Sequence, residues 1–205
     1  MREIEERLLM ALSALVNLSL YRSKPIDPRR ILVIKPDHIG DLILAIPALA
    51  ALRRRFPESR ITALVGEWCL PLTRCIPYLD DAIGYRPVEL SRDGRGSGFA
   101  ELVKLFRRIR REGFDLAVDL RVTRLSLALA AARSFRWRAD RSTRRLMARL
   151  RGRASIWDHE VKRNLDALRG AGIDVGEPSI GLVPTARGLE RARRLLREAG
   201  IPEGK

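Results

Sequence analysis

A chain of 205 residues with 46% hydrophobic side chains is long enough to bury a proper core, as one large domain or one domain and part of another. Its 40 Lys and Arg against 25 Asp and Glu leave a formal charge of +15, which favours anionic partners: nucleic acid, acidic lipid or phosphorylated glycolipid. The two cysteines, Cys69 and Cys75, lie six apart and match neither a metal spacing nor a redox C-x-x-C. They are expected as reduced, partly buried thiols of a cytosolic protein, with a mutual disulfide as the minor alternative.

Residues 2–20 carry a helical pattern whose apolar run, LLMALSALVNLSL, is about 13 residues, short of the ~20 that cross a bilayer. The mixed charges before it do not fit a secretory leader. The expectation is a helix docked on the domain's own surface, with a peripheral inner-membrane contact as the alternative. Tyr21 to Arg30, with Pro25 and Pro28, reads as a linker.

Ile31 to Ile34 is a continuous apolar run suited to a strand buried on both faces. Lys35-Pro36-Asp37-His38 breaks it, and after Gly40-Asp41 a second apolar segment, Leu42 to Leu52, is expected as one buried helix. Arg53-Arg54-Arg55 suit its C-terminus, with Pro57 just beyond. Strand, short turn and helix make the first half of a βαβ unit, whose turn is where open α/β sheets place their chemistry.

Further along, Ile61 to Val65 is a second strand, Gly66-Glu67 opens a short helix through Cys75, and Asp81 to Tyr85 is a weaker third strand. Glycines alternate through 91–98, but the strand lies too far upstream for a phosphate cradle, so a surface loop is expected. Phe99 to Glu112 is an amphipathic helix closed by Gly113, and Phe114 to Leu120 is a fourth strand with Asp119 at its carboxyl end. A helix follows from Leu125 to Ala132. From Arg121 to Arg153 the chain holds 11 arginines against one acid, Asp140, either a solvated basic face or a phosphate-binding surface. Trp137 fits a strand from Phe135 to Ala139. A helix is expected from Ser155 to Ala171, ended by Gly172, then a connector from Gly176 to Gly188 and a charged helix from Leu189 to Ala199.

The run K-P-D-H-I-G-D-L-I-L-A-I-P-A-L, followed by a basic patch, F-P and the next strand, is similar to glycosyltransferase family 9, the ADP-heptose:lipopolysaccharide heptosyltransferases. Lys35, Asp37, Gly40, Asp41 and Pro47 fit that pattern, while His38 is less typical of it. His159-Glu160-Val161-x-Arg163-Asn164-Leu165 resembles a second signature of the family, H-x-V-x-R-N-L. The resemblance runs through almost all of the chain after residue 30 but covers only the first half of the family's architecture. It implies an α/β, Rossmann-like three-layer domain with a mainly parallel sheet, the N-terminal domain of a GT-B glycosyltransferase. The expected division is 1–29 as helix and linker, 30–175 as the acceptor-binding domain, and 176–205 as connector and helix, truncated before the donor domain.

In such enzymes one domain holds the acceptor, the other holds the ADP-sugar, and a single displacement inverts the anomeric centre. The resemblance assigns the base to Asp41, with helix capping as its structural alternative. It assigns substrate contacts to Lys35, Asp37, Gly40, Asp119, Arg121, Arg124, His159 and Arg163. For Lys35 the options are an acceptor phosphate or a pairing with one of the two aspartates. For Asp119 the alternative is turn capping, and for His159 it is a helix-start hydrogen bond. No D-x-D triplet or ligand cluster occurs, so neither metal nor cofactor is expected, and the ADP-sugar is a co-substrate that needs a second domain. The functional expectation is therefore the acceptor side of an inverting glycosyltransferase acting on an acidic lipopolysaccharide core. Alternatives are a non-catalytic module binding acidic glycolipid at the inner membrane face and, less favoured, a nucleic-acid-binding protein.

Overall fold

The computed structural model describes residues 27–86, 99–121, 137–140, 159–177 and 181–201. The helix at 2–20, the glycine-rich loop at 91–98, Arg124 with the helix Leu125–Ala132, and most of the arginine-rich stretch lie outside the described residues. Chain order is β1 (Arg30–Lys35), α1 (Ile39–Ile43), α2 (Ile46–Arg55), β2 (Arg60–Gly66), a 3-10 turn (Glu67–Cys69), α3 (Leu70–Thr73) and β3 (Asp81–Tyr85). Then come α4 (Phe99–Glu112), β4 (Leu116–Asp119), β5 (Trp137–Asp140), α5 (Glu160–Gly170) and α6 (Ala186–Glu198).

The described strands form one five-stranded sheet in the order β3-β2-β1-β4-β5. Every pairing is parallel, with Ile31 opposite Ile61 on one side and Leu116 on the other. Parallel strands need crossovers that cover the sheet, so β1 has no solvent face, and its apolar run follows from that. Alternation sends Ile31 and Val33 into a core with Leu49 and Leu52 of α2 and Leu165 and Leu168 of α5. It sends Leu32 and Ile34 to the opposite face, against Leu105 and Ile109 of α4. The result is the three-layer α/β architecture, with the sheet between helices.

The apolar segment expected as one helix from Leu42 to Leu52 is two. The break falls at Leu44–Ala45, and the cause is Pro47 near the start of α2, which has no N–H for the Ile43 carbonyl and whose ring crowds it. The Ala48 N–H turns instead to the Ala45 carbonyl at 3.0 Å, which also takes the regular helical bond from the Leu49 N–H at 3.1 Å. Leu44 is left with a carbonyl outside the helical ladder, and the side-chain amide of Asn164 on α5 donates to it at 3.2 Å. Asn164 is fully buried, so this bond also satisfies a polar group that burial would otherwise penalise.

Other boundaries shift for local reasons. Thr185 caps α6 by accepting from the Gly188 N–H at 3.1 Å, so that helix begins at Ala186 rather than Leu189. Gly113 and Gly172 end α4 and α5 with φ of 62° and 74°, the left-handed conformation that closes a helix. The cations after α2 bind the fold together. Arg53 donates to the carbonyls of Pro57, Ser59 and Tyr78, and Arg54 to that of Val175 at 2.6 Å. In α6 no residue is buried, and Leu189, Leu195 and Leu196 are exposed.

Candidate functional site

The strand order runs β1-β2-β3 one way and β1-β4-β5 the other, so the direction reverses between β1 and β4. Ligands of open α/β sheets bind beyond the carboxyl ends of the strands at such a reversal. Here those ends carry Lys35 and Asp119, both 1% exposed.

Lys35 shares its sheet face with Ile31 and Val33, which aims it at the start of α5. Its Nζ lies 2.8 Å from Asp37 Oδ2 and 2.8 Å from Glu160 Oε1. The other oxygen of Asp37 meets the Arg121 guanidinium, and that of Glu160 meets Arg163. Arg121, Asp37, Lys35, Glu160 and Arg163 thus form an alternating chain of charges joining the ends of β1, β4 and α5. A buried ammonium is tolerated only when its charge is balanced and its donors are used, and two carboxylates meet both needs.

Asp119 closes the turn after β4: its Oδ1 accepts from the Arg121 N–H at 3.0 Å, presenting Arg121 to Asp37. His159 caps α5, its Nδ1 accepting from the Val161 N–H at 3.3 Å. These are the hydrogen-bonding alternatives foreseen for both residues. Lys35, Asp37, Asp119, Arg121, Glu160 and Arg163 are one cluster, while Arg124 lies outside the described residues.

The turn between β1 and α1 is held from the side as well. The Asp37 carbonyl accepts from Trp68 Nε1 at 3.1 Å and from Cys69 Sγ at 3.4 Å. The His38 ring stacks on that of Trp68, with centroids 5.9 Å apart and planes inclined by 28°. His38, Ile39 and Gly40 are exposed, and Asp41 is half-buried in the first turn of α1. A Cβ on Gly40 would meet nothing within 4 Å. Burial, reinforced by the negative charge of Asp41, pushes the Cys69 thiol up to about 11. Cys69 is therefore a packed, protonated donor rather than a nucleophile. Both cysteines are free, as expected.

Sequence reasoning left three site residues unassigned: Glu160, Trp68 and Asn164. Glu160 stands inside the quoted His159–Leu165 run, three residues before Arg163, a helical spacing that signals an ion pair. Nothing local marks Trp68, whose role depends on β2 lying beside β1. Among the described residues no group of three His, Cys, Asp or Glu is placed to hold a metal. None of the described helices is long and apolar enough to cross a membrane.

A parallel α/β sheet wound on both faces, with charged residues at its point of reversal, defines a Rossmann-like domain. No protein-family model matches the chain. It is 31% identical over 91 residues to lipopolysaccharide heptosyltransferase 2 of Escherichia coli, a match spanning 44% of this chain and 25% of that protein. It is 32% identical over 54 residues to lipooligosaccharide heptosyltransferase 2 of Haemophilus ducreyi, spanning 26% of this chain and 16% of that protein.

In fold it is similar to a glycosyltransferase family 9 structure from Veillonella parvula, with a TM-score of 0.67 at 20% identity over 88% of this chain and 53% of that one. It is also similar to E. coli ADP-heptose lipopolysaccharide heptosyltransferase II, with a TM-score of 0.55 at 20% identity over 85% and 51%. The chain thus matches a quarter or less of these curated relatives' lengths and about half of the solved structures. The resemblance to glycosyltransferase family 9 holds in sequence over a quarter or less of the heptosyltransferases matched and in fold over about half of the solved structures.

Proposed function

We propose that this domain is the acceptor-binding half of an inverting glycosyltransferase that moves heptose or a related sugar from an ADP-sugar to an acidic lipopolysaccharide core. The observation that carries the proposal is the position of Asp41. It lies in the first turn after β1, at the sheet's point of reversal, beside a glycine whose open side gives a ligand access to the backbone. The heptosyltransferase names of the relatives supply the reaction class.

In the proposed step an acceptor hydroxyl oxygen attacks the anomeric carbon as the bond from that carbon to the diphosphate breaks. ADP departs, and the hydroxyl proton passes to the Asp41 carboxylate. The buried charge cluster holds the turn still, so that Asp41 meets the hydroxyl without reorganising. Residues 30–175 would form the acceptor domain, and the donor would be held by a second domain across a cleft.

The test is Asp41→Asn, with transfer measured on the polypeptide that joins this domain to a donor-binding half. Acceptor binding is measured separately by calorimetry. Transfer should fall by about 10²–10⁴, the contribution of a positioned base, with acceptor affinity unchanged within about twofold. Unaltered transfer would remove Asp41 from catalysis, and binding without any transfer in the parent protein would leave the non-catalytic glycolipid module.

A further inference from the structure

We propose that the outer face of the His38 ring, backed by Trp68, is a platform on which a pyranose ring of the acceptor lies. The proposal rests on the acceptor reading above and names the part of the ligand that the site would grip.

His38 is the N-cap residue of α1, where Ser, Thr, Asp or Asn would serve the helix, and its side chain makes no capping hydrogen bond. It is exposed, and its described side-chain contact is the stack on Trp68. Trp68 is in turn a fixed support. Its Nε1 is committed to the Asp37 carbonyl, and its ring lies so close over Gly66 that a Cβ there would come within 2.6 Å of it. Gly66 is therefore the residue that lets the indole lie flat against the end of β2. A tryptophan braced in this way gives the imidazole a firm backing on one face.

Asp41 follows His38 by three positions, a helical spacing that sets the two on one side of the start of α1, with Ile39, 49% exposed, and the open Gly40 between them in the chain. An aromatic face and a carboxylate on one side of the turn, with an exposed aliphatic side chain and an unobstructed glycine between them in the chain, give this surface an amphipathic character. The axial C–H groups of a pyranose suit the aromatic face, and its hydroxyls would reach towards the carboxylate. An isolated anion would use an imidazole N–H at most and gain nothing from the stacked ring faces. The cations of the neighbouring cluster, Lys35, Arg121 and Arg163, are engaged with Asp37 and Glu160.

The experiment uses this chain with deacylated lipopolysaccharide inner-core oligosaccharide, followed by proton NMR and calorimetry. Ring C–H protons of one sugar should move upfield on binding, the signature of lying over an aromatic face. His38→Ala should abolish those shifts and weaken binding about threefold to tenfold, while His38→Phe keeps both. Because His38 is exposed, thermal unfolding of both variants should match the parent, which separates lost stacking from lost structure. Equal shifts and affinity in His38→Ala, or oligosaccharide binding without upfield shifts, overturns the platform and leaves the acceptor reading intact. Upfield shifts of adenine protons with ADP, and none with the oligosaccharide, overturn it in favour of a nucleobase stack. No oligosaccharide binding by the parent chain overturns the acceptor reading itself and the platform with it.

Discussion

Lys35 has the chemistry of a surface residue and the burial of a core one. A basic side chain just after an apolar run was legible in the sequence as a feature of the turn, but its partner Glu160 is 125 positions away and only folding brings it near. Distance along the chain also hid the meaning of Cys69, since Asp41, whose charge acts on it, belongs to another element. With the folded thiol at about 11 and the reference value at 9.0, the unfolded chain loses its proton first as pH rises. Cys69 thus supports the fold below about pH 9, and that support disappears between about pH 9 and pH 11. The urea midpoint should fall across this window more steeply in the parent than in Cys69→Ala. At pH 8 iodoacetamide should label the partly exposed Cys75 and spare Cys69. Gly40 makes a different prediction: a helical glycine is ~1 kcal/mol less stable than alanine, and the fold leaves room for a methyl group there. Gly40→Ala should raise stability by roughly 0.5–1 kcal/mol in denaturant titration and weaken acceptor binding.

At the scale of elements, hydrophobic periodicity placed each described strand within two residues of its position, because parallel buried strands and amphipathic helices leave strong patterns. It merged α1 with α2, since an apolar run does not show where a hydrogen-bond ladder breaks. Pro47 was visible as part of a family pattern, and its consequence needed the neighbouring helix: the freed Leu44 carbonyl is acceptable because Asn164 arrives from α5. Asn164→Ala leaves that carbonyl without its donor and should cost about 1–3 kcal/mol by urea unfolding. Asn164→Asp, which brings no amide N–H, should be at least as damaging. Restored stability in Pro47→Ala/Asn164→Ala would show that the break is what Asn164 serves.

For the whole molecule, the charge of +15 is a field rather than a site. Affinity for a phosphorylated core oligosaccharide should fall severalfold between about 50 mM and about 500 mM salt, as screening shortens the reach of surface charges. The dephosphorylated ligand should respond much less, and calorimetry in a salt series checks both. Local patterning was enough to reveal the layers and the central strand. A four-residue apolar run followed by a polar turn and a long apolar segment has few other ways to bury itself, and the turn residues Asp37 to Asp41 stood out from it. Tertiary structure alone decided which charges are committed and which are open. Lys35 is locked between Asp37 and Glu160, Asp119 and His159 serve their own turns, and His38 and Gly40 are exposed beside the half-buried Asp41. The physical reason is distance along the chain. Burial patterns repeat every two or four residues and can be read locally, whereas ion pairs and ring stacks join positions that meet only once the sheet has formed.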